Sequence, residues 1–128
     1  MPKQILIADD NPLVRRLVRI CVQTRLEQIV CEEAADGLDA IERAREVQPD
    51  LIILDLTMPK MNGLDAAATL QRILPGVPVI LYTLHKELAS DCRVQSFGIR
   101  AVVSKLDPMD LLLEQVYRYV GIPKAASV

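Results

Sequence analysis

The sequence predicts a doubly wound α/β sandwich, in which a five-stranded parallel sheet of order 2-1-3-4-5 lies between helices. Three features point to it: short apolar runs, amphipathic stretches between them, and capping or turn residues at the junctions. The runs are Ile5 to Ala8, Leu51 to Leu54, Val77 to Leu81 and Ala101 to Val103, with a weaker fifth at Ile29 to Cys31. Each is continuously apolar rather than alternating, the pattern of a strand covered on both faces.

The connecting segments read as helices. Val14, Leu17, Val18 and Cys21 fall on one helical face, and Leu38, Ile41 and Ala44 on another. Asn11-Pro12 and Asp107-Pro108 each place a capping side chain before a proline suited to a first helical turn. Asn62-Gly63 marks a turn before a further helix, which Pro75-Gly76 closes. Lys86 to Phe97 reads as helical from an irregular stripe of Leu88, Cys92 and Phe97. In the last segment Met109, Leu112, Leu113, Val116 and Val120 form an inward stripe, with Tyr117 and Tyr119 flanking it. Leu111 projects away, either as ordinary surface apolarity or as part of a dimer or partner face. Repeated strand–helix units with right-handed crossovers give a flavodoxin-like (βα)5 arrangement.

With 128 residues, 51% hydrophobic and 25% charged, the chain suits one globular domain. Residues 1–120 are expected to form it, and 121–128 to be a short tail or truncated linker. Aromatic side chains are limited to Phe97, Tyr82, Tyr117 and Tyr119, so the core must be aliphatic. A net charge of −2, without clustered basic or aromatic residues, argues against direct nucleic-acid binding. Cys21, Cys31 and Cys92 lack the close pairing of zinc or dithiol sites and read as buried thiols in a reducing compartment. Without a signal-like or membrane-length apolar segment, the expected location is cytoplasmic.

In a parallel sheet of this order, the ligand crevice lies at the carboxyl ends of the strands, between the first and third. Those ends carry Asp9-Asp10 and Asp55. Two unit charges ~4 Å apart repel by about 4 kcal/mol at an effective dielectric near ~20, so gathered carboxylates require a counter-charge. Hard oxygen ligands suit Mg²⁺, whose coordination is commonly completed by water and phosphate oxygens. The fourth strand ends in Thr83 and the fifth is followed by Lys105, adding a hydroxyl and an ammonium. A carboxylate can attack phosphorus to give an aspartyl phosphate, with the cations stabilising the transferring group. Taken singly, Thr83 is a common strand residue, Lys105 a surface charge and Asp55 a loop acid; their order along the chain favours the chemical reading. His85, the single histidine, is expected to be exposed at a helix start. Met58-Pro59 and Met61-Asn62-Gly63 shape the loop after the third strand, which also covers the proposed site.

Over almost its entire length the sequence resembles the response-regulator receiver family of two-component signalling. The resemblance rests on Ile5-Leu6-Ile7-Ala8-Asp9-Asp10-Asn11, Asp36-Gly37-Leu38-Asp39-Ala40, Asp50 to Pro59, Met61-Asn62-Gly63, Pro78-Val79-Ile80, Thr83 and Lys105. It implies that Asp55 accepts a phosphoryl group from a sensor histidine kinase or a histidine phosphotransfer protein. It further implies Mg²⁺ bound by Asp10, Asp55 and the Thr57 carbonyl, with Asp9 acting nearby through water. Thr83 and Lys105 would bond phosphoryl oxygens, and the charged product would switch binding to a downstream effector or dimer partner.

Three positions depart from the family pattern. Val102 stands where a switching Tyr or Phe is common, so no coupled aromatic rotation can occur there. Leu106 replaces the proline that usually follows the lysine, where a cis bond would cost ~3 kcal/mol. Leu84 is bulkier than the usual small residue and narrows access for water or a phosphatase. Competing readings are a phosphorylation-independent interaction module, a flavodoxin and a Mg²⁺-dependent phosphohydrolase. The intact acid set opposes the first, and acids in place of a glycine-rich phosphate loop oppose the second. Asp55-Leu56-Thr57 lacks the second acid expected of the third.

Overall fold

The computed structural model describes residues 2–90 and 97–120. Strands β1 (Lys3–Ala8), β2 (Ile29–Ala34), β3 (Leu51–Leu54), β4 (Val79–Thr83) and β5 (Ile99–Ser104) pair in the order β2-β1-β3-β4-β5. All four pairings are parallel. Helices α1 (Pro12–Arg25), α2 (Gly37–Val47), α3 (Gly63–Ile73) and α4 (Met109–Tyr119) fill the connections, with a short 3₁₀ helix at Lys86–Ser90.

Alternation of side chains across each strand divides the core into two layers. Leu6, Ile52, Leu54 and Leu81 pack with Ala40, Ala44, Ala66, Ala67 and Leu70 of α2 and α3. Ile5, Ile7, Ile53 and Ile80 pack with Val18, Val22, Leu112, Leu113 and Val116 of α1 and α4. Both faces of the central strands are therefore dry, which explains their unbroken apolar sequences. Helix α2 lies against β1 and β2, and α3 packs closely beside α2.

Register brings the chemistry to one edge. Ala8 is level with both Ala34 and Leu54, so Asp9 and Asp55 each follow the last paired residue of a neighbouring strand. The Asp55 N–H donates to the Ala8 carbonyl at 3.0 Å, and the Asp9 N–H to the Ala34 carbonyl at 3.0 Å. Thr83 is level with Ser104, and the Lys105 N–H donates to the Thr83 carbonyl at 2.9 Å.

Several local expectations change. In α1 the buried face is centred on Val18 and Val22, with Val14 and Cys21 at its margin, while Leu17 is 52% exposed. Leu13 and Ile20 extend the same outward row. In α2, Gly37, Ala40, Ile41 and Ala44 face inward, leaving Leu38 outside. The expected Lys86 to Phe97 helix is 3₁₀ over Lys86–Ser90, opened by the Leu88 N–H donating to the His85 carbonyl, and positions 91–96 lie outside the described residues.

Asn11, Asp36 and Asn62 cap α1, α2 and α3 through their side-chain oxygens. Asp107 does not cap α4. Pro108 occupies the cap position, and the Asp107 carboxylate instead accepts the Ser104 N–H at 3.3 Å, closing the turn after β5. The inward stripe of α4 is as expected, with Leu111 44% exposed. Cys31 is buried, and its thiol is pushed up to about 11 chiefly by burial; Cys21 is half-buried rather than buried. Cys92 lies outside the described residues, as does the 121–128 tail. No described helix is long and apolar enough to cross a membrane.

The two faces of α1 separate in a denaturation experiment. Val18→Ala, at a site with no exposure, should cost about 1–3 kcal/mol by urea unfolding, and Leu17→Ala under about 0.5 kcal/mol. Equal losses would contradict this orientation of the helix.

Candidate functional site

At the carboxyl edge of the sheet, one carboxylate oxygen from each of Asp9, Asp10 and Asp55 lies within 4.8 Å of the others. Asp9 and Asp55 are each 3% exposed, whereas Asp10 is open to solvent. Lys105 bridges the buried pair, its Nζ standing 2.6 Å from Asp9 Oδ2 and 3.0 Å from Asp55 Oδ2. Like charges held this close are tenable because the ammonium lies between them and donates hydrogen bonds to both.

Protonation equilibria reflect this crowding. Burial pushes the Asp9 carboxyl above its ordinary range, outweighing the hydrogen bonds from Lys105 and from the Asn11 N–H. Burial works against the Lys105 ammonium, but its hydrogen bonds to Asp9 and Asp55 prevail and raise it. The cluster thus gathers three carboxylates around one ammonium, whose charged form the hydrogen bonds to Asp9 and Asp55 favour. Three hard oxygen donors at this spacing fit a hard divalent cation.

A crevice of about 660 Å³ opens beside the cluster, lined by Asp10, Asp55, Thr57, Met58, Leu84 and Lys105 among others. Thr57 is exposed, and its N–H points to Asp55 Oδ1 at a long 3.4 Å. Leu84 is 53% exposed and Leu106 80%, so the residues after Thr83 and Lys105 present apolar surface beside a charged site. No cis peptide occurs among the described residues, including Lys105-Leu106. Thr83 is not among the lining residues. It is fully buried, and its Oγ1 accepts the N–H of the exposed His85 at 3.0 Å. Val102 is half-buried and lines a separate cavity of about 200 Å³ with Lys86 and Leu111.

The loop after β3 is shaped by close backbone approach. The Gly63 N–H donates to the Leu56 carbonyl at 2.7 Å, and a Cβ at Gly63 would overlap the Asp55 carbonyl oxygen. Any larger residue there would displace Asp55. Gly37 sits equally tightly on Met61, and Lys60 reaches Asp36 at 3.5 Å. The Asp36 carboxyl is held below its ordinary range, first by the Asp39 N–H and also by Lys60. The β2–α2 turn thereby braces the loop that carries Thr57 and Met58.

Asp9, Asp10, Asp55 and Lys105 thus come together and Thr57 lines the crevice, whereas Thr83, expected to add its hydroxyl there, is fully buried and outside the lining. Sequence reasoning misses Arg15, whose Nη1 donates to the Asp9 carbonyl at 2.6 Å while its Nε pairs with Glu33 at 2.9 Å. It also misses the Asn11 N–H on Asp9 Oδ1 at 2.9 Å. The available signal for Arg15 is a cation one turn into the helix that leaves an acid pair, facing a polar end of strand β2.

A family model of the response regulator receiver domain matches residues 5–117. The polar-differentiation response regulator DivK of Brucella anthropi is 30% identical over 123 residues, covering 94% of this chain and 98% of that protein. A protein-glutamate methylesterase/protein-glutamine glutaminase of Pyrococcus horikoshii is 33% identical over 99 residues, 77% of this chain but 27% of that protein. Among solved structures, response regulator protein TrrA from Thermotoga maritima, in complex with Mg(2+)-BeF, matches with a TM-score of 0.83 at 29% identity. That match covers 91% of this chain and 98% of TrrA. The chain spans between about a quarter and a half of the methylesterase and of the Staphylococcus saprophyticus response regulator VraR. Sheet order, acid cluster and a family match across 5–117 agree: the chain belongs to the response regulator receiver domain family of two-component signalling.

Proposed function

We propose that this chain is a phosphorylation switch in which Asp55 accepts a phosphoryl group from a phosphohistidine of a sensor kinase or phosphotransfer protein. One observation carries the proposal: a buried aspartate at the crevice wall, grouped with two further acids and bridged to Asp9 by Lys105. A bond forms between an Asp55 carboxylate oxygen and phosphorus as the donor's P–N bond breaks, the electron pair leaving with the imidazole nitrogen. When bound, Mg²⁺ supplies positive charge for the phosphoryl oxygens. Asp10, Asp55 and the Thr57 carbonyl would hold it, with Asp9 acting through water.

Lys105 is already within 3.0 Å of Asp55 and needs only a small shift to meet a phosphoryl oxygen. The Thr83 hydroxyl, which accepts the His85 N–H through a lone pair, would donate its proton to a phosphoryl oxygen and so be drawn toward the phosphoryl group with the His85 N–H still bound to it. Movement of Thr83 pulls on the backbone just before the Lys86–Ser90 segment and gives the charge on Asp55 a route to the surface. With Val102 beside this segment in place of an aromatic ring, the route runs through the β4–β5 connection itself. Residues 1–120 form the switching unit in this reading, and 121–128 a tail or the start of a linker. The receiver acts in the cytoplasm, with its phosphorylated form binding an effector or a second copy. It has no direct role at nucleic acid or membrane.

Acetyl phosphate with Mg²⁺ should add the mass of one phosphoryl group in intact-mass spectrometry, as a base-labile adduct that Asp55→Asn abolishes. Label persisting in Asp55→Asn would sink the assignment. Absence of any adduct would favour the interaction-module reading, and steady turnover of phosphoesters the hydrolase. Lys105→Ala should slow adduct formation roughly 100-fold, the scale of losing one transition-state donor. An unchanged rate would remove Lys105 from the chemistry.

Mg²⁺ should also raise the thermal midpoint of the wild-type chain, since ligand at ~100 times its Kd stabilises by about 2.7 kcal/mol. Asp10→Asn should blunt that response. If calorimetric scans show equal gains in both proteins, Asp10 is not a ligand.

A further inference from the structure

Every polar atom of Asp9 is engaged, and one of its partners has no role in the chemistry above. Its N–H is taken by Ala34, Oδ1 by the Asn11 N–H and Oδ2 by Lys105. Its backbone carbonyl accepts Arg15 Nη1 at 2.6 Å. The Arg15 side chain is only 16% exposed. Its guanidinium is oriented by Glu33, whose Oε1 meets Arg15 Nε at 2.9 Å and whose Oε2 meets Arg19 Nη2 at 2.9 Å. Arg19 Nη2 in turn donates to the Cys31 carbonyl on β2 at 3.1 Å. Two cations thus share one carboxylate in a bracket that ties α1 to β2.

A planar peptide makes this contact consequential. The Asp9 carbonyl oxygen and the Asp10 Cα lie in one rigid plane, so fixing that oxygen fixes the base from which the Asp10 carboxylate projects. We infer that Arg15 is a positioning residue for the cation-binding acids: it locks the Asp9–Asp10 peptide plane, and Glu33 with Arg19 holds the guanidinium in place. The inference rests on the proposed Mg²⁺ reading of the acid cluster.

Charge and geometry make opposite demands here. A guanidinium beside a site for a dication weakens binding by repulsion, so a purely electrostatic Arg15 or Arg19 would give tighter Mg²⁺ binding when removed. A positioning role requires weaker binding on removal, on the ~10–100-fold scale typical of groups that orient metal ligands. Lysine keeps the charge but not the planar fork that spans Glu33 and the carbonyl together.

The test is calorimetric titration of the full chain with MgCl₂, with urea midpoints measured in parallel. Arg15→Ala should raise Kd about tenfold, and Arg15→Lys should recover only part of that loss. Arg19→Ala, at the outer end of the bracket, should weaken binding by a few-fold, and it carries the test alone if Arg15→Ala loses cooperative unfolding. Unchanged or tighter binding in these variants would overturn the inference while leaving the metal reading intact. A wild-type chain that does not bind Mg²⁺ would overturn both.

Discussion

Lys105 between Asp9 and Asp55 is the contact on which the rest of the site depends. A parallel sheet with strands β1 and β3 adjacent forces their carboxyl ends together, and this sequence puts an acid at each end. Without a buried cation the edge would be an electrostatic fault in the middle of the fold. The β4–β5 pairing prevents it, because the residue after β5 is placed by a hydrogen bond to the Thr83 carbonyl and its side chain runs back over two strands. The folding register and the charge balance are therefore the same constraint. Removing the lysine would strand two buried carboxylates, a far costlier change than deleting an exposed ion pair such as Arg25–Asp110.

Much of this was legible in the sequence because it follows from one-dimensional signals. Strands buried on both faces are written as unbroken aliphatic runs, and acids directly after such runs must lie at the sheet edge. The Asn11 cap is equally local. What was not legible depends on rotation and on partners distant in the chain. Leu17 and Val18 both fit an apolar helical stripe, and only the docking angle of α1 on the sheet decides which is buried. Asp107 before a proline looks like a cap, yet a nearer acceptor need at Ser104 takes its carboxylate. The partners Arg15 and Glu33 lie far apart in sequence, and no spacing rule joins a helix cation to an edge-strand acid.

Glycine shows the same limit from another side. Asn62-Gly63 reads as a turn, whereas Asn62 caps α3 and Gly63 opens it, and the sequence does not reveal that Gly63 is needed for clearance over the Asp55 carbonyl. Gly37 opens α2, but its more demanding task is to let Met61 approach. In both cases the missing side chain matters because of what packs against it. The β2–α2 turn is thereby fastened behind the loop that walls the crevice, with Lys60 and Asp36 as a polar tie.

That wall is asymmetric. On the β3–α3 side, close backbone contacts hold the loop carrying Thr57 against α2, leaving little room for adjustment. On the β4 side, Thr83 is attached to the next segment by one neutral hydrogen bond to the His85 N–H, and that segment is a single 3₁₀ turn with Leu88 54% exposed. A neutral hydrogen bond of this kind contributes about 1 kcal/mol net, whereas one to an anionic phosphoryl oxygen contributes roughly 1.5–3 kcal/mol. Under the proposed phosphorylation of Asp55, charge there would meet a rigid support on one side and, on the other, a hydroxyl tied to its neighbouring segment by a single weak bond it accepts. In that reading the response would be directed toward β4 and the Lys86–Ser90 turn, because that is where the least is lost by moving.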